Sequence, residues 1–380
     1  MIPFNKVHTT GKEIHYISEA IANGKLSGNG PFTLLCQNFF EKKYGILKAL
    51  LTSSATDALE MCAILANIQN SDEVILPSYT FVSTALPFLR QGAKLVFADS
   101  YPDNPNIDVT AIESLITTKT KAIVVVHYAG ISCDMDAIVD LATRYNLIVI
   151  EDAAQAIDGY YTNKNGIKKA LGTIGHLAAF SFHETKNIIA GEGGLIAIND
   201  EKFIKRSEII WQKGTNRAEF FRGETNKYGW VDIGSSFLPS ELIASFLWAQ
   251  LECLDSIQEK RKLIWNTYNS LFIEKKIKDL QLPNVPGFAS HNAHTFFIVT
   301  RDIEHRNRLI GQLKDAGYSA VFHYLSLHAS DYFREKHDGR NLPNSDKFTN
   351  CLLRLPLFYD LDIQHISKIV AHCIILNSNK

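Results

Sequence analysis

Leu147-Ile148-Val149-Ile150-Glu151-Asp152-Ala153-Ala154-Gln155 is a β-branched apolar run that ends abruptly in two carboxylates. A short apolar run without alternation predicts a strand buried on both faces, as in a parallel sheet covered by helices. A carboxylate at the end of such a strand is costly to desolvate unless it meets a cation or a metal. Asp152 therefore marks a site for a cationic group, and Gln155, three residues on, can reach the same ligand. A helix N-cap or a magnesium-binding acid competes with that reading. The nucleotide-hydrolysis version of it is weakened because no G-x-x-x-x-G-K-[ST] loop occurs in the chain.

Outward from this strand, residues 47–198 alternate short β-branched runs with helix-length segments. The runs predict strands over Leu47–Thr52, Glu73–Leu76, Lys94–Ala98, Lys121–His127, Leu147–Glu151, Ala178–Phe182 and Leu195–Asn199. Between them Thr56–Asn67, Asp108–Thr117, Asp134–Tyr145 and Glu201–Ile210 predict helices. That order is the signature of an α/β fold with a largely parallel sheet. Beyond residue 200 come helices, then a loop holding Pro283, Pro286 and Gly287, then mixed strands and helices. A chain of 380 residues exceeds what one core usually serves. Two domains are expected, a large one over 1–250 and a small one over 251–380, divided within the helical stretch that follows Pro239.

Hydrophobic residues at 46% and charged residues at 21% fit a folded enzyme and exclude a long disordered tail. The 39 basic and 40 acidic side chains nearly cancel, which argues against a general nucleic-acid or membrane-surface binder. The start of the chain lacks a signal-peptide pattern and no apolar stretch approaches a membrane span, so a cytoplasmic location is expected. Six cysteines lie far apart, with no C-x-x-C pair, and read as buried free thiols rather than zinc ligands or disulfides.

Ligands of open α/β sheets sit outside the carboxyl ends of the strands, and four such ends carry chemistry here. Ser53-Ser54-Ala55-Thr56-Asp57 enters a helix, where free N–H groups and the helix dipole favour a phosphate; a bare N-cap explains it equally well. Glu151-Asp152 with Gln155 is the second. Ser181-Phe182-His183-Glu184-Thr185-Lys186 runs toward Gly191-Glu192-Gly193-Gly194, a glycine-rich segment that lets backbone approach Lys186 closely. A lysine there with a lowered pKa is a nucleophilic amine, although most loop lysines are simply solvated. Pro77-Ser78-Tyr79-Thr80-Phe81 offers an aromatic ring for stacking or for ordinary core packing.

A phosphate cradle, a ring clamp, a carboxylate for a ring nitrogen and a reactive amine together resemble the DegT/StrS-type sugar aminotransferases. The stretches that carry the resemblance are PSYTFVSTA (77–85), VHYAG (126–130), EDAAQ (151–155), GTIGH (172–176), FSFHETKN (180–187), GEGG (191–194), EIIWQKGTNR (208–217), DIGSS (232–236) and LRLPLFY (353–359). It implies PLP fold type I, the aspartate aminotransferase-like fold, with a mostly parallel mixed sheet in a large PLP-binding domain and a smaller C-terminal α+β domain. The implied cofactor is pyridoxal 5'-phosphate (PLP). Lys186 would be the Schiff-base lysine and general base, and Asp152 the partner of the pyridine nitrogen. Gln155 would bond the ring hydroxyl and Phe81 cover the ring, while Ser54, Ala55, Thr56 and Ser181 surround the phosphate. Relatives often have glycine where this chain has Ala55, and an asparagine that reaches the neighbouring subunit's phosphate where it has Ser236. A homodimer with shared sites is implied, and the apolar segment Glu241–Trp248 needs either that interface or a core to cover it.

The implied reaction takes an amino group from L-glutamate to a 4-keto nucleotide sugar, in its finest form dTDP-4-keto-6-deoxyglucose to dTDP-4-amino-4,6-dideoxygalactose, for cell-surface polysaccharide. Lys213, Asn216, Arg217 and Arg222 form a donor-rich loop that suits a diphosphate or is simply solvated. His323, Tyr324 and His328 close the sugar site or pack in the small domain. Amination at C3 and a non-catalytic regulatory relative stay open at this point. Relatives that act as 3-dehydratases carry histidine at the position of Lys186, which argues against that activity.

Overall fold

The structure, a computed structural model, describes residues 1–277 and 279–378. Lys278, Asn379 and Lys380, which the expected 251–380 domain includes, lie outside the described residues. In chain order the first strands are β1 (Lys48–Thr52), β2 (Glu73–Pro77), β3 (Lys94–Ala98), β4 (Thr120–Val126) and β5 (Ile148–Asp152). A small hairpin, β6 (Tyr160–Thr162) and β7 (Lys168–Ala170), precedes β8 (Leu177–Ser181) and β9 (Gly194–Ile198). Seven of these make one sheet in the order β1-β9-β8-β5-β4-β2-β3. Pairings from β3 across to β8 are parallel, whereas β9 runs antiparallel to both β8 and β1. The expected mostly parallel mixed sheet is present.

Strand periodicity explains why the sheet is covered on both faces. Ala49 and Leu51 of β1, Ile123 and Val125 of β4, and Leu195 and Ala197 of β9 enter one apolar cluster. Their neighbours Leu50, Ala122, Val124, Ile196 and Ile198 enter another on the opposite face. Helix Ala55–Leu65 covers the second face and Met135–Tyr145 the first. Asp134 caps the latter through the N–H of Ala137 at 3.2 Å, and Asn146 ends it in the left-handed region. The expected helix over Asp108–Thr117 is instead a short α-helix, Val109–Ile112, followed by a 3-10 turn, Glu113–Leu115. Three β-branched residues among its first four are poor helix formers and shorten it.

The first 45 residues add helices Glu13–Ala22 and Pro31–Tyr44, which pack on helix Glu241–Leu251. Buried Glu241 caps Pro31–Tyr44 from another element: its carboxylate accepts from the N–H of Gly30 (3.0 Å), Phe32 (2.8 Å) and Thr33 (3.1 Å) and from the Thr33 hydroxyl. Four donors and the helix dipole make this carboxylate affordable inside the protein. Helix Leu254–Lys275 begins in the core of the large sheet with Leu254 and Ile257 and ends in a separate core with Ile264, Trp265, Tyr268 and Phe272. That second core underlies an antiparallel sheet of β10 (Leu280–Gln281), β11 (Phe296–Thr300), β12 (Val321–Phe322) and β13 (Leu352–Leu355), ordered β10-β11-β13-β12. Helices Ile303–Asp315 and Ile363–Ser378 complete it. Among the described residues no helix is long and apolar enough to cross a membrane.

Candidate active site

The carboxyl ends of β1, β2, β5 and β8 converge on a cavity of about 670 Å³, whose other wall comes from the smaller sheet. Ser54, Ala55, Thr56, Phe81, Asp152, Gln155, Ser181 and Lys186 all line it, together with His323 and Tyr324.

Ser54, two residues past the end of β1 and in extended backbone, caps helix Ala55–Leu65, its Oγ accepting from Asp57 N–H at 3.1 Å. The N–H groups of Ala55 and Thr56 have no acceptor among the described residues. They sit at the positive end of an eleven-residue helix, which is the chemistry that holds a phosphate dianion. Gly194, at the start of β9, lies so close that a Cβ there would come within 2.3 Å of the Ser54 carbonyl. The glycine-rich segment thus lets β9 press against the turn without pushing it out of place.

Asp152 is 6% exposed. Its Oδ2 accepts from the Thr84 hydroxyl at 2.7 Å and its Oδ1 from Ala154 N–H at 3.1 Å, and it forms no salt bridge among the described residues. Burial raises its pKa, against the pull of Thr84, Ala154 and Lys186. A cation placed against it relieves that cost, so the site fits a protonated ring nitrogen. Behind it lies a buried pair: His127 Nε2 is 2.9 Å from Glu151 Oε2, and Glu151 also accepts from Gly172, Ile174 and Gly175 N–H. Burial pushes the Glu151 pKa up, but His127 and these amides outweigh it and hold the group low.

Lys186 follows a turn in which its own N–H bonds His183 O at 2.9 Å, while Glu184 N–H bonds Gly191 O across the loop. Its Nζ makes no hydrogen bond or salt bridge among the described residues. Burial lowers its pKa to about 8, the Arg354 charge adding to the fall and Asp152 opposing it. An amine in that range is available as a nucleophile and proton carrier near neutral pH.

Gln155 accepts from Ala129 N–H at 2.7 Å and donates to the Tyr324 hydroxyl at 2.9 Å. Tyr324 is held at φ 29, in the sparsely populated left-handed region, and its ring stacks on His323 with centroids 3.5 Å apart. Phe81 is half exposed at the mouth, 6.0 Å from Tyr324. Ser181 Oγ accepts from His183 N–H at 3.4 Å.

Other expected residues are elsewhere. His328 is buried away from the cavity, its Nδ1 2.7 Å from Ser78 Oγ. Lys213, Arg217, Arg222 and Ser236 line a different cavity of about 900 Å³. There Arg222 is already paired with Glu208 (2.8 Å) and Glu224 (2.7 Å), Arg217 lies over the Phe221 ring, and Asn216 accepts from Gly229 N–H. Residues that the sequence reading did not single out also line the first cavity, among them Thr80, Glu192, His294, Thr295 and Arg354. Thr84 bonds Asp152 from just behind its wall. Thr80, Thr84 and Arg354 fall inside the stretches that carried the resemblance, which was the available signal.

Residues 8–373 match the model of the DegT/DnrJ/EryC1/StrS aminotransferase family. The chain belongs to this family. Members of it use PLP, so this chain is a PLP-dependent aminotransferase with the type I fold, and the four elements around the cavity fit that cofactor. Among curated relatives of this aminotransferase, the spore coat polysaccharide biosynthesis protein SpsC of Bacillus subtilis is 30% identical over 97% of this chain and 95% of its own length. The structure of DesV from S. venezuelae, in complex with a ketimine intermediate, superposes with a TM-score of 0.89 at 26% identity, covering 100% of this chain and 99% of that one. The sugar aminotransferase CalS13 of Micromonospora echinospora has the same fold, with a TM-score of 0.89 at 22% identity and full coverage of both chains.

Proposed function

We propose that this sugar aminotransferase carries an amino group from an amino acid, L-glutamate by the resemblance of its motifs, to the 4-keto carbon of a nucleotide-linked 6-deoxysugar. In its finest form the reaction converts dTDP-4-keto-6-deoxyglucose to dTDP-4-amino-4,6-dideoxygalactose for cell-surface polysaccharide. The observation that carries the reading is that Asp152 and Lys186 share one cavity with the free N–H groups of Ala55 and Thr56. The polysaccharide role in the name of SpsC supports the destination of the product.

PLP, when bound, supplies the electron sink that makes the proton on an amine-bearing carbon removable. Ala55 and Thr56 N–H, with Ser54 and Ser181, hold the phosphate end. Asp152 keeps a proton on the ring nitrogen; Thr84 and Ala154 hold its two oxygens and leave each a further lone pair for that contact. Gln155, held by Ala129 and Tyr324, would bond the ring hydroxyl through the remaining N–H of its amide. Lys186, poised near pH 8, takes and returns the proton at the substrate carbon. Lys213, Asn216, Arg217 and Arg222, which lie away from Lys186 of their own chain, would act on the diphosphate bound at a second subunit's site, and Ser236 on the phosphate there. Exposed Trp230, Val231 and Ile233 beside that loop support a homodimer that covers them.

Incubation with L-glutamate and a panel of keto-sugar nucleotides, read by NMR of the product, tests the assignment. An amine at C4 of the dTDP-linked 6-deoxysugar is expected. Amination at C3, or no product from any keto sugar, contradicts it.

A further inference from the structure

His294 lines the active-site cavity together with Lys186, and its backbone is held there from several directions. Its N–H donates to Asn292 Oδ1 at 3.0 Å, and its carbonyl accepts from Arg261 Nη2 at 2.7 Å. Arg261, a buried guanidinium with no salt bridge among the described residues, also donates from Nε to Ala293 O at 3.2 Å. Ala293 itself is at φ 54, in the left-handed region that a residue with a Cβ rarely adopts. Strained backbone fixed by a buried cation points to a side chain with a function. The proton on that side chain can be placed. Asn292 O, a main-chain carbonyl, only accepts, so the Asn187 amide must turn its nitrogen to it (2.9 Å) and donates its second hydrogen to Gln258 Oε1 at 2.8 Å. The Asn187 oxygen then faces His294 Nδ1 at 2.9 Å, which requires Nδ1 to carry the proton. Nε2 is left as a bare lone pair and makes no hydrogen bond among the described residues. Burial, with the charges of Lys186, Arg261 and Arg354 around it, holds the ring pKa well below the ordinary histidine value, so the ring stays neutral.

A neutral imidazole of that kind accepts a hydrogen bond from an ammonium but is too weak a base to take its proton. Lys186 has the complementary need, since its Nζ has no partner among the described residues. The next residue along the chain is Asn187, so the contact that fixes the His294 proton also ties the ring to the backbone that carries Lys186. After burial, the Lys186 charge lowers the His294 pKa most, which places the two groups close together. The other polar groups around the amine are engaged or of the wrong sign. Asp152 is bonded by Thr84 and Ala154 and faces the cofactor nitrogen, Glu192 lies 3.6 Å from His183 Nε2, and Arg354 repels the amine. His323 has its Nδ1 2.7 Å from the Tyr128 hydroxyl. We infer that His294 is a positioning residue of the reaction: its bare Nε2 accepts a hydrogen bond from the charged amine of Lys186 and keeps that proton carrier in place between taking the proton and returning it.

This rests on the reading that Lys186 is the reactive amine. The test follows the full chain, isotopically labelled in its histidine ring nitrogens, by NMR across the range from roughly pH 6 to 10 before cofactor is added. The His294 signals are those lost in His294→Gln. They should show a protonated Nδ1 and a bare Nε2 throughout, and the Nε2 signal should move as Lys186 loses its proton, with a midpoint of about 8. That movement should be absent in Lys186→Ala. A proton on Nε2, a ring that itself titrates in this range, or an Nε2 signal that stays still in wild type or moves equally in Lys186→Ala, overturns the inference. The rate at which PLP attaches to the apoprotein then reads the lysine. In His294→Leu the pH of half-maximal rate should fall by about one unit, as expected for losing a hydrogen bond to a charged donor. His294→Gln, whose amide oxygen takes the place of Nε2, should restore most of the shift. A purely structural role would reduce the cofactor bound but leave that pH the same in all three proteins, and this too overturns the inference. The NMR result decides the matter even if His294→Leu does not fold. Borohydride labelling of a different lysine refutes the reading of Lys186 and the inference with it, whereas a silent Nε2 with Lys186 labelled refutes the role of His294 alone.

Discussion

Replacing Asp152 with asparagine keeps the shape of a buried side chain and removes its charge. The phosphate contacts remain, so the Asp152→Asn protein should retain PLP while turnover falls on the order of 100- to 1,000-fold, as when one preorganised electrostatic partner is lost. Near-normal turnover would mean that Asp152 only caps Ala154. Lys186 gives the pH dependence. Its amine titrates at about 8 rather than the ordinary 10.5, chiefly because it is buried, so the neutral form already dominates above pH 8. Attachment of PLP to the apoenzyme, followed by absorbance, should speed up as pH rises toward 8 and then level off. A rate that keeps climbing to pH 10 would belong to an ordinary solvated lysine.

At the scale of elements, the site depends on β9 fitting against the turn after β1. A Cβ on Gly194 would fall 2.5 Å from Ala55 N, against backbone that has no rotamer to change. Gly194→Ala should cost about 1–3 kcal/mol of stability, typical of overpacking, and weaken PLP binding measured by equilibrium dialysis. Unaltered affinity would show that the turn does not hold the phosphate. This scale also shows what the sequence made legible. Unbroken apolar strands with polar residues at their ends marked where the cavity lies, because strand ends in a parallel sheet open on one side. The pairing of Arg354 with Phe297 was not legible, since it follows from the register of two strands more than fifty residues apart. Nor was the anchoring of helix Pro31–Tyr44, whose cap is a glutamate about two hundred residues downstream. The apolar segment Glu241–Trp248 is largely covered by its own chain: Ala244 and Leu247 are buried in the core, leaving Leu242 exposed.

For the whole molecule, the exposed Ser236 lines a cavity separate from the one around Lys186 of its own chain, which is the arrangement that a site shared between subunits requires. Mixing Lys186→Ala with Ser236→Trp chains, under conditions that exchange subunits, should yield activity from two inactive parents. One site of each heterodimer is then intact, giving about a quarter of wild-type activity if exchange in a two-fold dimer is random. An inactive mixture, with exchange proven and both parents folded, would assign Ser236 to its own chain. The central claim, that Lys186 is the residue to which the cofactor bonds, is tested most directly over the entire sequence. Borohydride reduction of the PLP-loaded protein, then peptide mass spectrometry of every lysine, should find the pyridoxyl mass on Lys186. The same mass on a different lysine, with Lys186 unmodified, would contradict the account.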